Sequence, residues 1–295
     1  MTDSYNRTID YLRLSVTDRC NLRCRYCMPK EKFEKDHCFL SHTEVLSFEE
    51  IIRLGKIFAA NGVEKIRLTG GEPLLRKGIE FLITELSKLK TWNDKPLDVA
   101  VTTNGAALSA KAKSLAAAGL KRLTVSLDAM DPQIYKDLND VNFPIEKTLA
   151  GIQAAKDAGI PSIKINVVVK RGVNEKELIK IAEHFKGTGI IVRYIEFMDV
   201  GTSNGWRLDD VIPSRQIVEE INRVYPIEPL NPNYTGEVAT RWGYKDGSGE
   251  LGFISSVSEP FCKECSRIRL SVDGKLYKCL FATEGFDIRQ MLRGG

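Results

Sequence analysis

The chain has 295 residues, of which 43% are hydrophobic and 28% are charged. These proportions are ordinary for a globular protein and exclude a disordered, collagen-like or low-complexity chain. Lys and Arg number 43 against 39 Asp and Glu, and the resulting net charge of +4 is too small to indicate a nucleic-acid-binding protein by itself.

The sequence gives no sign of a membrane or secretory segment. No stretch reaches the roughly 18 consecutive apolar residues that a membrane span requires. Residues 1–10 are polar and lack the apolar core of a signal peptide. We therefore expect a cytoplasmic protein that binds neither membrane nor nucleic acid.

Strands and helices alternate along the first two thirds of the chain. Stretches rich in Val, Ile and Thr predict six strands, at residues 11–17, 64–69, 97–103, 121–127, 162–169 and 189–197. Helical patterns follow the first five, at residues 48–60, 79–90, 110–118, 145–158 and 175–185. This order indicates a parallel sheet with helical crossovers.

Several helix ends are marked by local signals. The sequence Ser47-x-x-Glu50 forms a capping box that predicts a helix start at residue 48. Four glycines stand just past predicted helices, where a left-handed residue is expected, namely Gly62, Gly119, Gly159 and Gly187.

Two architectures fit this alternation, an open doubly wound sheet and an incomplete (β/α)6 barrel of the TIM type. Polar residues recur with a period of two along several strands, as at Arg13 and Ser15 or Lys164 and Asn166. A doubly wound sheet covers both faces with helices, whereas an open barrel has a wet interior. The polar face therefore favours the α/β class with an incomplete (β/α)6 barrel.

The alternation stops near Gly205. Beyond it, Pro213, Pro226, Pro229, Pro232 and several glycines interrupt a region with one predicted helix at residues 215–224 and short strands. We expect two domains, the barrel at residues 1–205 and a smaller C-terminal region at residues 206–295.

Six of the seven cysteines fall into two triplets, and an odd count without a secretory signal argues against a disulfide framework. The first triplet, Cys20, Cys24 and Cys27, directly follows the first strand, at the end where barrel sites are built. Three thiolates suit a 4Fe-4S cluster with one iron open to a non-protein ligand. The alternative is zinc, which usually takes four protein ligands in a structural site.

The segment CNLRCRYC at residues 20–27 resembles the cluster motif of the radical S-adenosylmethionine (SAM) superfamily, and TGGEP at residues 69–73 resembles its SAM-binding motif. The resemblance implies that the open iron chelates the amino and carboxylate groups of SAM. We expect the Gly70-Gly71 turn to bring its backbone close to this ligand, because glycine has no Cβ.

The second triplet is Cys262, Cys265 and Cys279 in the C-terminal region. It again leaves one iron of a 4Fe-4S cluster open, and an open cluster can hold a substrate. The alternatives are a structural zinc or an electron-relay cluster completed by a fourth residue. We interpret the seventh cysteine, Cys38, as a buried or loop residue.

Further segments resemble one family of this superfamily, the GTP 3′,8-cyclases of molybdenum-cofactor biosynthesis. They are LRLSVTDRC at residues 12–20, KINVV at 164–168, RYIEFMDVG at 193–201, FCKECSRIRL at 261–270, DGK at 273–275 and CLF at 279–281. The resemblance covers the chain from about Arg7 onwards. It implies two 4Fe-4S clusters, SAM as cofactor, and conversion of GTP to (8S)-3′,8-cyclo-7,8-dihydroguanosine 5′-triphosphate.

The resemblance also implies individual site residues. The cluster ligands are the two cysteine triplets, and the SAM contacts are Tyr26, Gly71, Ser126 and Met198. The GTP contacts are Arg13, Arg67, Thr102, Lys164, Arg267, Ile268 and Arg269. Arg267 and Arg269 are implied as catalytic residues that stabilise developing charge.

A triphosphate substrate fits the charge pattern of the strands. It carries several negative charges, so a barrel that binds it needs basic groups in its lumen. Strand-borne basic residues with apolar neighbours on both sides have no other wet environment. The candidates are Arg13, Lys65, Arg67, Lys164 and Arg193.

Two alternatives stay open. One is another twin-cluster radical SAM enzyme, such as a peptide or sulfatase maturase. The other is a non-catalytic iron-sulfur electron carrier or a zinc-binding interaction protein, although neither needs a glycine-rich SAM turn.

The family resemblance implies two protein partners and one difference in length. The partners are a flavodoxin- or ferredoxin-like reductant and a downstream cyclic pyranopterin monophosphate synthase, and we expect a monomer or homodimer. Family members usually continue to a distant Gly-Gly tail, whereas this chain stops at Arg293-Gly294-Gly295. We therefore expect a chain truncated at its C-terminus.

Overall fold

The computed structural model describes residues 7–33, 37–200 and 205–294. All six predicted strands are present, with ends that differ from the prediction by no more than two residues. They are β1 (Tyr11–Ser15), β2 (Lys65–Thr69), β3 (Asp98–Thr103), β4 (Arg122–Ser126), β5 (Ser162–Val169) and β6 (Ile191–Glu196).

The helices also follow the prediction, with two short additions, the fourth and the eighth. They are α1 (Phe48–Ala60), α2 (Ile79–Ser87), α3 (Leu108–Ala117), α4 (Pro132–Asn139), α5 (Ile145–Asp157), α6 (Leu178–Phe185), α7 (Ser214–Val224) and α8 (Arg289–Arg293). The sequence patterns missed α4, which is short and mostly polar. Its start does carry a local signal, because Asp131 accepts hydrogen bonds from the backbone of Gln133 and Ile134, with Pro132 in the first turn.

The predicted helix-end signals are confirmed. The Ser47 hydroxyl accepts from the Glu50 N–H, and the Glu50 carboxylate accepts from the Ser47 N–H. The four glycines past helix ends have left-handed φ values of 105°, 90°, 78° and 73°, for Gly62, Gly119, Gly159 and Gly187. These signals fix where α1, α3, α5 and α6 stop.

The C-terminal strands join the barrel sheet at both of its edges. They are β7 (Ile227–Leu230), β8 (Thr240–Tyr244), β9 (Glu250–Ile254), β10 (Arg267–Leu270), β11 (Lys275–Tyr277) and β12 (Phe286–Asp287). The order in the 12-stranded sheet is β12-β11-β10-β1-β2-β3-β4-β5-β6-β9-β8-β7. Since β10 pairs parallel with β1 and β9 parallel with β6, two further strands extend the six-stranded parallel core.

The strands within residues 206–294 therefore extend the sheet of the barrel and do not form a sheet of their own. The division at residue 205 stays a prediction. None of the helices in the described part of the chain is both long and apolar enough to cross a membrane.

The sheet curls so that its inner faces meet. Arg193 on β6 lies close enough to Arg67 on β2 and Arg13 on β1 for their charges to interact, although these strands are far apart in the sheet order. The alternation of burial agrees, because Leu12 and Leu14 are fully buried under the helices while Arg13 between them faces the lumen. The period of two thus separates an apolar outer face from a polar inner face.

A buried carboxylate ties the C-terminal region to the barrel. Glu196, at the end of β6, is 0% exposed and accepts from the N–H groups of Ser214, Val257 and Ser258 at 2.7–2.8 Å. The Ser258 hydroxyl donates to the same carboxylate. Burial raises the pKa of Glu196, but these donors outweigh burial and hold it below its ordinary value.

The glycine pair after β2 packs directly against the backbone that leads into the first cysteine triplet. Gly71 N–H donates to Thr17 O at 2.8 Å, and Glu72 N–H donates to Arg19 O at 2.8 Å. A Cβ on Gly70 would lie 2.2 Å from Thr17 O, and one on Gly71 would lie 2.1 Å from Arg19 O. The missing Cβ atoms therefore permit close approach to the cysteine loop, and the expected close approach to a ligand stays a prediction.

We predict that Glu196→Gln lowers the free energy of unfolding by about 2–4 kcal/mol at pH 7, because an amide cannot accept from all four donors. The pKa of the folded carboxyl is depressed, so its contribution is present above the unfolded pKa of about 4.3 and is lost as pH falls through the folded value. Urea unfolding at pH 7 and below pH 4 measures this. Glu228→Gln, on an exposed residue of β7, is the control, and equal effects of the two variants would contradict the account.

We predict that Gly71→Ala loses about four iron atoms per chain, because its methyl group must displace the Arg19 carbonyl next to Cys20. Iron and sulfide analysis after cluster reconstitution measures this loss. Gly172→Ala is the control, since nothing lies within 4 Å of its Cβ position. Full iron loading of Gly71→Ala would show that the close contact does not shape the cysteine loop.

Candidate active site

The first cysteine triplet lies on the loop after β1, at the carboxyl end of the barrel. All three thiols are free. Cys27 N–H donates to Cys24 O at 2.9 Å, which folds the segment into a turn, and Leu22 N–H donates to the Cys20 sulfur at 3.5 Å. The Cys24 thiol donates to Asn139 Oδ1 at 3.2 Å at the end of α4, a helix that the sequence patterns missed.

The surroundings of this triplet disfavour the thiolate form unless a cation is bound beside it. Burial raises the pKa of Cys24 well above its ordinary value, and the neighbouring Cys27, Asp128 and Cys20 raise it further. Thiolates therefore form here only beside a cation such as iron. Within the described residues, no three His, Cys, Asp or Glu side chains are arranged to hold one metal ion. A four-iron cluster does not need such convergence, because each thiolate binds a different iron.

Two acidic residues that were not among the predicted site residues organise the surroundings of the triplet. Asp128 accepts from the Tyr26 hydroxyl at 2.7 Å and from the Val168 N–H at 2.8 Å, and burial raises the pKa of Asp128 to about 6. Glu72 is buried and accepts from the Thr103 hydroxyl and the Asn104 N–H, both at 2.7 Å.

Asn104 connects Glu72 to the cysteine loop. Its side-chain amide donates to Asn21 Oδ1 at 2.9 Å and reaches the Cys20 sulfur at 3.8 Å. The signal that the sequence offered for Glu72 was its place in the TGGEP segment. No comparable local signal marked Asn104, because its contacts depend on the pairing of β2 with β3.

The four residues implied as SAM contacts all lie at this end of the barrel. Gly71 follows β2, Ser126 is the last residue of β4, and Met198 comes two residues after β6. Tyr26 lies within the cysteine loop and is linked to β4 through Asp128. The sheet thus gathers residues from four separate segments beside the first triplet.

The second triplet lies at the opposite end of the lumen. Cys262 and Cys265 precede β10, which runs parallel to β1, so they are at the amino ends of the parallel strands. Cys279 follows β11, which runs antiparallel to β10 and returns the chain to the same end. All three thiols are free, and Cys265 and Cys279 lie near enough to Arg269 for their charges to act on it.

Between the two triplets, basic side chains line the lumen. The strand register places Arg13 beside both Arg67 and Arg269. Arg67 donates to the Thr102 hydroxyl at 3.0 Å and the Thr124 hydroxyl at 2.8 Å, so the predicted Thr102 faces the same space. Lys164 is next to Thr124 in the sheet, and Arg193 donates to Asn166 at 3.0 Å.

Within the described residues these cations form no direct ion pair with a carboxylate, although Glu237 and Glu250 act on Lys164 at longer range. Burial lowers the pKa of Arg13, and Arg67 and Arg267 lower it further, while Tyr11 opposes the shift. Arg13 Nε is buried without a hydrogen-bond partner. Burial and Arg193 lower the pKa of Lys164 to about 8, and burial with Arg13 and Arg267 lowers that of Arg269 to about 10. The buried positive charge of the lumen therefore favours binding of a polyanion.

A cavity connects this row to the second triplet. Its volume is about 360 Å³, and it is lined by Arg13, Ser15, Thr69, Arg269, Tyr277 and Cys279 among others. A ligand in this cavity contacts the lumen face of β1, β2 and β10 together.

Three other residues that the sequence patterns singled out occupy different surroundings. Ile268 is 5% exposed and belongs to the apolar core on the outer face of β10, so only its backbone is available to a ligand in the lumen. Lys65 lies 3.7 Å from the Asp98 carboxylate, which partly neutralises it. Cys38 is exposed in a loop, which agrees with the loop interpretation.

Comparison with known proteins matches most of the chain to two family models. Residues 14–185 match the radical SAM superfamily, and residues 190–295 match Molybdenum Cofactor Synthesis C. Among solved structures, Streptococcus suis SuiB bound to S-adenosylmethionine has a TM-score of 0.69 at 15% identity and covers 95% of this chain. The chain spans 63% of the length of SuiB, and this likeness shows the fold alone.

Curated relatives are much more similar in sequence. The GTP 3′,8-cyclase of Acidothermus cellulolyticus is 49% identical over 99% of this chain and 79% of its own length. Those of Xanthomonas campestris pv. campestris and Staphylococcus epidermidis are 48% and 46% identical, over 86% and 85% of their lengths and 100% and 99% of this chain. The chain therefore belongs to the GTP 3′,8-cyclase family of the radical SAM superfamily.

Proposed function

We propose that this protein converts GTP to (8S)-3′,8-cyclo-7,8-dihydroguanosine 5′-triphosphate, the first step of molybdenum-cofactor biosynthesis. The observation that carries the proposal is the row formed by Arg269, Arg13 and Arg67, in register on adjacent strands between two cysteine triplets. Such a row, with one buried guanidinium nitrogen lacking a hydrogen-bond partner, is stabilised by a polyanion such as a triphosphate.

The nucleotide site we propose uses the lumen residues. Arg13, Arg67 and Lys164 bind phosphates, Arg267 and Arg269 contact the nucleotide from β10, and Thr102 helps to orient Arg67. The backbone of Ile268 completes the β10 segment of this site. Guanidinium groups suit this role because they present planar pairs of donors to phosphate oxygens.

The first triplet and Tyr26, Gly71, Ser126 and Met198 hold a 4Fe-4S cluster and SAM in the proposal. When bound, the cluster and SAM would supply the radical chemistry that removes a hydrogen atom from the C3′ position of the ribose. The chain contributes orientation, since the first triplet lies at the carboxyl end of the lumen and the basic row lies deeper within it. The apolar outer face of the sheet packs against the helices, so the reacting groups lie on the inner face of the sheet.

The second triplet holds a second 4Fe-4S cluster at the guanine end of the substrate in the proposal. Arg267 and Arg269 follow its first two cysteines directly along the chain and stabilise charge that develops as C3′ bonds to C8 of the base. The proposed domain organisation follows this division, with residues 1–205 holding the first cluster and residues 206–295 the second.

The proposed location of the protein is the cytoplasm. Seven free cysteines suit the cytoplasm, where thiols stay reduced. The radical chemistry requires one-electron donation, so a flavodoxin- or ferredoxin-like reductant is the proposed partner. The cyclised nucleotide is the substrate of a downstream cyclic pyranopterin monophosphate synthase.

A peptide-modifying function is the competing assignment within the superfamily. SuiB has the same fold at 15% identity, and fold alone does not determine the substrate. The basic lumen favours a triphosphate over a peptide, because a peptide would leave the buried row of arginines without counter-charge.

We predict that the cluster-loaded protein, incubated anaerobically with SAM, GTP and a strong reductant, yields 5′-deoxyadenosine and 3′,8-cyclised GTP in equal amounts by mass spectrometry. The variant with Cys262→Ser, Cys265→Ser and Cys279→Ser keeps the iron of the first cluster but yields no cyclised GTP. Cys38→Ser, on an exposed loop cysteine, keeps both products.

Two outcomes would contradict this function. Deoxyadenosine from the wild-type protein without cyclised GTP would refute GTP as the substrate. Full cyclisation by the triple variant would refute the role given to the second triplet.

A further inference from the structure

Tyr11, the first residue of β1, lies among the basic side chains of the lumen and has no assigned role. The Arg67 Nε donates a hydrogen bond to its hydroxyl oxygen. The Lys65 ammonium lies 5.3 Å from the centre of its ring, and the Arg67 guanidinium carbon lies 6.0 Å from it. Register places Tyr11 next to Lys65 on β2 and next to Arg267 on β10.

These contacts oppose a repulsion that the strand register creates. Arg13 and Arg67 are direct neighbours on β1 and β2, and each is next to further cations. Arg67 also donates to two neutral threonine hydroxyls, on β3 and β4, which lie on the side of β2 away from β1. The Tyr11 oxygen accepts from Arg67 on the β1 side, and its attraction also favours the charged form of Arg13.

We propose that Tyr11 is a positioning residue of the nucleotide site. Its hydroxyl oxygen holds Arg67 and Arg13 together and pointing into the lumen before the phosphates arrive, and its ring face keeps Lys65 in place. This inference rests on the proposed function only for the identity of the nucleotide. The contacts of Tyr11 with Arg13, Lys65 and Arg67, which we call the tyrosine-cation cluster, do not depend on that function.

The same contacts give the cluster a pH dependence. Burial opposes ionisation of Tyr11, but Arg67, Arg13 and Lys65 outweigh it and lower its pKa to about 8. The charged or titratable groups that face Tyr11 are Arg13, Lys65, Arg67, Arg193, Arg267 and, from the loop between β7 and β8, Tyr234. Above its pKa, the phenolate becomes an internal anion that competes with phosphate for the same cations.

The linkage has a definite sign. Phosphates that bind Arg13 and Arg67 remove part of the positive field that stabilises the phenolate. Nucleotide binding must therefore raise the pKa of Tyr11, and ionisation of Tyr11 must equally weaken nucleotide binding. Lys164, with a pKa of about 8, adds a separate loss of affinity over the same pH range. A variant that lacks only the Tyr11 hydroxyl separates the two effects.

The test uses Tyr11→Phe, which keeps the ring and removes the oxygen. We expect GTP to bind about ten-fold more weakly at pH 7, because Arg67 and Arg13 lose their shared acceptor. Between pH 7.5 and 9.5, the wild-type affinity falls more steeply than that of the variant. Calorimetric titration of the cluster-loaded protein without SAM measures both. An unchanged affinity with an unchanged pH slope would overturn the proposal.

A direct readout does not require nucleotide. Tyrosinate absorbs near 295 nm, so the difference between wild type and Tyr11→Phe, with clusters equally loaded, isolates the ionisation of one residue. We expect a midpoint near pH 8 that moves upward with saturating GTP. Tyr234→Phe is the matched control, because Tyr234 also contacts Lys65, at 5.0 Å, but burial raises its pKa.

The outcomes separate the two proposals. A midpoint near 10 in the wild type would refute the tyrosine-cation cluster. A midpoint near 8 that is lost in Tyr11→Phe, together with no binding of GTP, would support the cluster and refute the proposed function.

Discussion

The structure depends on one unfavourable interaction, the mutual repulsion of guanidinium groups inside a barrel lumen. Arg269, Arg13 and Arg67 are neighbours on β10, β1 and β2, and Arg193 approaches them across the barrel. Such an arrangement costs stability unless hydrogen bonds and a bound anion offset it. The threonine hydroxyls of β3 and β4 and the oxygen of Tyr11 provide the hydrogen bonds. The compensating anion comes from the ligand, and the repulsion that a bound polyphosphate relieves contributes to its affinity.

Two sets of close contacts at the carboxyl ends of the strands hold loops around this lumen in place. At the carboxyl end, the glycine pair presses against Thr17 and Arg19 and thereby fixes the loop of the first triplet to β2. Glu196 fixes the loop before the second triplet and the start of α7 to the end of β6. Both sets of contacts lie at the carboxyl ends of parallel strands and anchor chain segments that lead to a cysteine triplet or to the C-terminal region.

Much of this could be predicted from the sequence, and the rest could not for physical reasons. The period of two along β1, β2 and β5 identified the lumen face, because alternation alone assigns residues to faces. Ile268 follows the same alternation and faces the apolar core. It was placed among the GTP contacts only because its neighbours in the motif are site residues. The pairing of β10 with β1 joins residues more than 250 positions apart and leaves no local signal. The contacts of Tyr11, Asn104 and Glu196 depend on such pairings, so only the folded chain reveals them.

The central claim is that the lumen is built for the phosphates of its ligand, and stepwise removal of phosphate tests this most directly. GTP, GDP and guanosine are titrated by calorimetry into the cluster-loaded protein at low and physiological salt. The account predicts that affinity falls with each phosphate removed, that guanosine binds at least about 100-fold more weakly than GTP, and that salt reduces the difference. Equal affinity for GTP and guanosine would show that the arginine row does not bind phosphate and would contradict the account.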